Sequence, residues 1–234
     1  MSELKVTWIG QGGYILDYSG TTLVLDPYFS NSVEATDGFK RLFPAPEEAL
    51  GVKADYILIT HDHLDHFDEE SLALLFKNKK PVVVGPDSCL EHLRRFDDSI
   101  EAIALNRGTS FAVGDLTIRA VPAEHTDDSV GFLMQKGAGG VYFTGDTLYT
   151  KELAAVKAYG PKVLFVCING KLGNMTASEA ARLATELEVE EAYPNHYGLF
   201  AENTADPGDF CKELEGTQVR PKVLELMESV VIPL

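Results

Sequence analysis

Apolar positions along the chain switch between two periods. Short alternating or continuous apolar runs read as strands, and longer runs with a three-to-four spacing read as helices. The first third is strand-rich: Lys5 to Ile9, then Tyr14 to Tyr18, then Thr22 to Leu25, the last two joined by the turn signal Ser19-Gly20. Asp26-Pro27 ends that hairpin, and residues 30–50, with Pro44 and Pro46, read as a polar irregular segment. Such a segment is either a mobile loop beside a site or a plain surface excursion. The run Ala54 to Thr60 predicts a buried strand.

From there strands and helices alternate. A helix is expected from Asp68 to 78, a strand over 81–85 and a helix over 87–96. Strands follow near 100–105, 110–114, 116–122, 130–135 and 140–144. A helix over 151–159 is stopped by Gly160-Pro161, and a strand over 162–168 comes next. Thr176-Ala177-Ser178-Glu179 is a capping box that opens a helix to about 188. A strand over 189–194, a helix near 207–215 and a strand near 218–226 complete the pattern. No linker or repeat interrupts it, so residues 1–234 are expected to form a single domain.

Five of the apolar strands empty into polar groups: 61–66, 125, 146, 169–171 and 195–197. Strand ends that converge build a site from distant sequence. His61-Asp62-His63-Leu64-Asp65-His66 is the densest group and holds three of the six histidines of the chain. Imidazole and carboxylate together suit zinc, manganese and iron. Taken singly, His125, His196 and Asp146 are weak signals, since lone residues of these types at strand ends are often structural. Beside the 61–66 cluster they supply the partners that it needs. Two divalent ions, Mn²⁺ or Zn²⁺ with iron as a third choice, divide the set. His61, His63 and His125 go to one, Asp65, His66 and His196 to the other, and Asp146 bridges both. His92 reads as a surface residue and Cys167 as a buried thiol.

Charge narrows the partners. Twenty basic and 36 acidic side chains leave a net charge of -16, which disfavours nucleic acid and anionic membranes. An anionic small substrate stays open, because two cations and a lysine reverse the local sign. Three well-separated cysteines, no leader-like segment at Met1 to Lys5 and no run of membrane-spanning length together predict a cytoplasmic protein without structural disulfides.

His61-x-His63-x-Asp65-His66, His125, Gly145-Asp146 and His196 resemble the metallo-β-lactamase superfamily over nearly the whole chain. The resemblance implies an α/β fold, a four-layer α/β/β/α sandwich with the metals at one edge between the sheets. Within it the chain is most similar to the L-ascorbate-6-phosphate lactonase branch of metal-dependent hydrolases. That likeness rests on Trp8-Ile9-Gly10-x-x-Gly13, Asn169-Gly170, Asn174-Met175-Thr176 and Pro194-Asn195-His196-Tyr197-Gly198-x-Phe200, followed by Asn203 and Ala205-Asp206-Pro207. It also implies a homo-oligomer. The chain is shorter than those enzymes and carries His125 and Leu148 where they are expected to carry Asp and His. Differences in metal site and substrate are therefore expected.

The expected chemistry is hydrolysis of an ester or lactone of a small sugar acid, phosphorylated or not, by a metal-bridging hydroxide. Asp65 would orient the nucleophile and carry its proton, and Asn169, Lys171 and Tyr197 are the candidate substrate contacts. The alternatives are a phosphodiesterase acting on a small cyclic phosphodiester or RNA, and a non-catalytic metal-binding module.

Overall fold

Alternation within each strand divides the apolar residues between two cores, because successive side chains of a strand point to opposite faces. In the strand Thr21–Leu25, Leu23 and Leu25 join one buried cluster while Val24 joins the other. In the strand Tyr56–Leu58, Leu58 goes to the first and Ile57 to the second. The cluster holding Leu23 and Leu58 fills the space between two sheets and continues through one of them to its helices, and the other lies between the opposite sheet and its covering helices.

The computed structural model describes residues 3–234; Met1 and Ser2, which open the segment read as lacking a leader, lie outside the described residues. The first sheet begins with β1 (Glu3–Gly10), β2 (Gly13–Tyr18) and β3 (Thr21–Leu25). Helices α1 (Ser32–Asp37) and α2 (Glu47–Leu50) precede β4 (Tyr56–Leu58). Helix α3 (Glu69–Asn78), β5 (Val82–Gly85), α4 (Asp87–Phe96) and β6 (Ala102–Ala104) follow. Strands β3 to β6 run parallel to one another. The second sheet holds β7 (Ser110–Val113), β8 (Leu116–Pro122), β9 (Val130–Gln135), β10 (Val141–Phe143), β11 (Val163–Cys167), β12 (Glu191–Asn195) and β13 (Arg220–Pro221). Here β10 to β13 are parallel. Helices α5 (Lys151–Ala154), α6 (Ala177–Leu187) and α7 (Pro207–Glu213) accompany it. Strand β14 (Ser229–Pro233) crosses back to pair with β1 at the edge of the first sheet. Helix, sheet, sheet and helix give the four-layer α/β/β/α sandwich.

Side chains explain the layering. Helix α3 buries Leu72 and Leu75, and α4 buries Leu90 and Leu93, all against the first sheet. Each such leucine contributes about 1.5–3 kcal/mol relative to an exposed one. Asp68 caps α3 by accepting the Ser71 amide at 3.0 Å, and Thr176 with Glu179 forms the capping box of α6. Asp206 caps α7, whose first residue is Pro207.

Four elements depart from the pattern reading. The run 54–60 pairs only over β4, since its last residues turn into the His loop. Residues 30–50 contain α1 and α2 rather than irregular chain alone. The 151–159 helix tightens to a 3₁₀ helix over Ala155–Tyr159 before Gly160, which adopts φ +65°. The stretch 218–226 pairs only at Arg220–Pro221. Strand β14 has no counterpart in the reading, because its pairing with β1 spans nearly the whole chain and leaves no local signal. Among the described residues no helix is long and apolar enough to cross a membrane, and the three cysteines are unpaired. Burial pushes the Cys167 thiol up to about 12.

Candidate metal centre

The parallel strands place their carboxyl ends at one rim, where the two sheets meet. Strand β4 leads into the 61–66 loop from the first sheet. Strands β8, β10 and β12 of the second deliver His125, Asp146 and His196. All seven candidate ligands therefore come together, although the distances between them in sequence are large.

Two triads form. His63 Nδ1 lies 3.2 Å from His61 Nε2 and 2.9 Å from His125 Nε2. His66 Nε2 and His196 Nε2 are 3.2 Å apart, with Asp65 Oδ2 3.8 Å from each. The two oxygens of Asp146 reach different groups. Oδ1 is 2.8 Å from His196 Nε2 and 3.4 Å from His66 Nε2, whereas Oδ2 is 3.7 Å from His125 Nε2. Asp146 thus lies within reach of both histidine groups, and it also groups with His61 and His66.

The residues behind the ligands decide which ring nitrogen is available. His66 Nδ1 donates to Asp26 Oδ2 at 2.7 Å, and His125 Nδ1 donates to the Gly173 carbonyl at 3.0 Å. The Thr60 hydroxyl donates to Asp26 Oδ2 at 2.6 Å, so it accepts from His61 Nδ1 at 3.0 Å. Each of these three rings thus spends its Nδ1 proton on a fixed acceptor and turns Nε2 inward. Gln11 Nε2 lies 2.9 Å from Asp65 Oδ2 and 3.1 Å from His196 Nδ1, and Asn174 Nδ2 donates to Asp146 Oδ2 at 2.7 Å.

Two glycines make room. A Cβ at Gly12 would sit 2.9 Å from His66 Cε1, and one at Gly173 would sit 2.9 Å from His125 Nδ1. Both would push an imidazole out of place.

This donor set fits a divalent cation. Buried Asp146 Oδ1 makes no hydrogen bond despite its nearness to two imidazole nitrogens. Burial alone would raise the Asp146 carboxyl, yet His196 and His66 hold it well below the usual carboxylate range. Burial disfavours a charged His66, yet Asp146, Asp65 and Asp26 lift it well above the usual imidazole range. Burial pushes His61 well down and His125 down. Three carboxylates around His66 make the centre short of positive charge, which a metal ion would supply.

Above the ligands opens a cavity of about 630 Å³. His63, Asp65, His125 and Asp146 face into it, while His61, His66 and His196 are buried behind them. Val33, Asp37 and Phe39 bring the 30–50 segment to its wall.

The three candidate substrate contacts are placed differently from expectation. Tyr197 turns into the core, where its ring packs on Trp8 at 4.7 Å and its hydroxyl donates to the Leu224 carbonyl at 2.7 Å. His196 has φ +62°, so the chain turns sharply there and the neighbouring side chain leaves the site. Asn169 is buried and donates to Asn203 Oδ1 at 2.6 Å; Asn203, not Asn169, lines the cavity. Lys171 points along the surface, with Nζ 3.2 Å from the Glu202 carbonyl, and is not part of the cavity lining. His92 is 43% exposed, as a surface residue should be.

Asp26, Thr60, Gln11 and Gly173 also build the site, and residue order alone does not mark them as site residues. Asp26 had a signal available: it ends an apolar strand, as the ligands do.

Residues 21–197 match a family model described as "Beta-lactamase superfamily domain". A UPF0173 metal-dependent hydrolase of Pyrobaculum arsenaticum is 27% identical over 236 residues, covering 99% of this chain and 100% of that protein. Igni18, a metallo hydrolase from the archaeon Ignicoccus hospitalis, shares the fold with a TM-score of 0.82 at 24% identity, covering 99% of each chain. An isothiocyanate hydrolase from Delia radicum gut bacteria does so with a TM-score of 0.79 at 18% identity, covering 97% of this chain and 98% of that one. The family model spans most of the chain and the layers agree with it: this chain belongs to the beta-lactamase superfamily and has the metallo-β-lactamase fold.

Proposed function

We propose that the protein is a metal-dependent hydrolase that opens an ester or lactone of a small molecule. The observation that carries this reading is the set of three overlapping His and Asp groups at the floor of an open cavity. The Pyrobaculum arsenaticum relative, described as a metal-dependent hydrolase, supports the same class.

His61, His63 and His125 would hold one divalent ion, and Asp65, His66 and His196 a second, with Asp146 shared; zinc, manganese and iron all suit these donors. Bound there, such ions lower the pKa of water and polarise a substrate carbonyl. The chain's own residues do the rest. Asp65 is partly exposed to the cavity, and its Oδ2 is held by Gln11. It would take the proton of an attacking water and return it to the leaving alkoxide. Asn203, its Oδ1 engaged by Asn169, keeps its amide NH₂ as a donor for the substrate. Asp26 and Gly173 keep the imidazoles in one tautomer through the cycle.

The test pairs metal analysis with turnover on one sample, using a lactone panel and bis-(4-nitrophenyl) phosphate. About two ions per chain and chelator-sensitive lactone hydrolysis are expected. Phosphodiester turnover without lactone turnover would overturn the ester reading, and a chain that binds no divalent metal would overturn both.

A further inference from the structure

The cavity over the metal centre is built of two unlike parts. Its floor is the polar ligand set. Its wall is apolar: Val33 and Phe39 from the 30–50 segment, Leu64 from the His loop, Leu172 and Phe200 from loops after β11 and β12. Val33 and Phe200 belong to a small buried cluster with Tyr28 and Leu199, against which Phe39 and Leu64 pack. The wall therefore has its own hydrophobic support and is held in place without a ligand. Outside the ligand set, the polar lining is Asp37, Asp62 and Asn203.

Among the described residues, no lysine or arginine lines this cavity. Lys171 and Arg41, close in sequence to lining residues, make hydrogen bonds elsewhere. Lys171 donates to the Glu202 carbonyl. Arg41 donates to the carbonyls of Tyr28, Ser30 and Phe43, and faces a different cavity beside Leu42. An anionic substituent in the outer cavity would lose water and meet Asp37 and Asp62 with no lysine or arginine in the lining, leaving only ions at the polar floor as counter-charge. The phosphorylated sugar acid allowed by the sequence does not suit this wall.

Leu172 is the most telling residue. Its side chain is 63% exposed at the cavity rim, and its backbone has φ +52°. Leucine rarely adopts that left-handed conformation, and such outliers concentrate at functional sites. The loop around it is tied down at both ends by the Asn169–Thr176 bridge and the Gly170 amide on the Met175 carbonyl at 2.9 Å. Gly173 and Asn174 of the same loop hold His125 and Asp146. An apolar side chain is thus displayed to solvent on a loop fixed by the metal centre.

We propose that the outer cavity receives an uncharged, apolar substituent of the substrate and that Leu172 sets this preference. This rests on the reading of the cavity as a hydrolase's substrate cleft. The substrate is then an ester, lactone or related electrophile that carries an alkyl or aryl group in place of a phosphate or carboxylate.

The metal-loaded protein would be titrated calorimetrically with two unreactive amides of equal chain length. One is N-hexylacetamide; the other is the same chain ending in a sulfonate, an anion that ligates metals weakly. The neutral amide should bind at least about tenfold more tightly, the scale on which apolar pockets discriminate. Leu172→Lys should erase or reverse that preference, and Leu172→Ala should weaken the neutral amide alone by a few-fold. Because Leu172 is exposed, both variants should fold. Equal or tighter binding of the sulfonate, or a preference untouched by Leu172→Lys, would overturn the proposal. Turnover of an alkyl lactone against a phosphorylated sugar lactone separates the two readings. No turnover of either, with the binding preference intact, would remove ester hydrolysis and leave the cavity assignment supported.

Discussion

The two halves of the metal centre are anchored by different means. On the side of the first sheet, His61 and His66 are fully buried, and one carboxylate at the end of β3 serves both: Asp26 holds His66 directly and His61 through Thr60. On the side of the second sheet, His125 and Asp146 are held by a loop, through one backbone carbonyl and the Asn174 amide. That loop carries positive φ at Gly170, Leu172 and Gly173. The first half rests on sheet hydrogen bonding and desolvated charge. The second rests on a strained turn that also faces the cavity. The comparison teaches that one side of the site is held by a buried carboxylate and the other by a loop that is itself part of the cavity wall.

Mutations can break this comparison. The largest effect is expected from Asp146→Ala, since Asp146 is the side chain that reaches both triads. Metal content should fall well below the about two ions of a dinuclear site, and activity with it. A variant that keeps a full complement of metal would refute the shared role.

Asp26→Asn comes next. It leaves His66 facing a neutral amide and weakens the hold on His61 through Thr60. Metal affinity should drop about 10–100-fold, the usual scale for residues that orient ligands. Equilibrium dialysis against a chelator of known affinity measures this; an unchanged affinity would show that the first sheet needs no such anchor.

Asn174→Ala probes the loop half. Its loss should be nearer tenfold, the low end of the same range, because the Gly173 carbonyl still holds His125. A loss larger than that of Asp26→Asn would reverse the proposed order of the two halves.

Lys171→Ala should matter least. Its amine lies on the surface and outside the cavity, so KM for neutral and phosphorylated esters alike should change less than about twofold, as for ordinary surface substitutions. A selective rise for phosphorylated esters would place a cation in the cavity after all.

Much of the site is legible from residue order alone. His61 to His66 stand out because three histidines in six positions need a common purpose. His125, Asp146 and His196 become legible through them, as polar residues at the ends of apolar strands. The side-chain directions of loop residues are not legible in this way. Tyr197 adjoins a ligand yet faces the core, because His196 turns the backbone into the left-handed region. Asp26 is read as a strand terminator, and its second task as an acceptor appears only when the His loop folds over it. Lys171 offers a charge in sequence, but its direction depends on the Glu202 carbonyl, thirty-one residues away. The layers follow from strand alternation and from the caps at Asp68 and Thr176. The edge strand β14 does not, since its partner β1 lies at the other end of the chain.

That edge strand has a mechanical consequence. Glu3 of β1 lies opposite Pro233 of β14, and the strands run antiparallel, so their outer ends meet at one corner of the sheet. A pull applied at Glu3 and Pro233 loads the hydrogen bonds between the two strands one after another, as a zipper is opened. A pull along the length of β1 from Glu3 to a point in the second sheet loads many bonds at once. The protein should therefore yield at low force in the first geometry, releasing β14 while both sheets around the site stay closed.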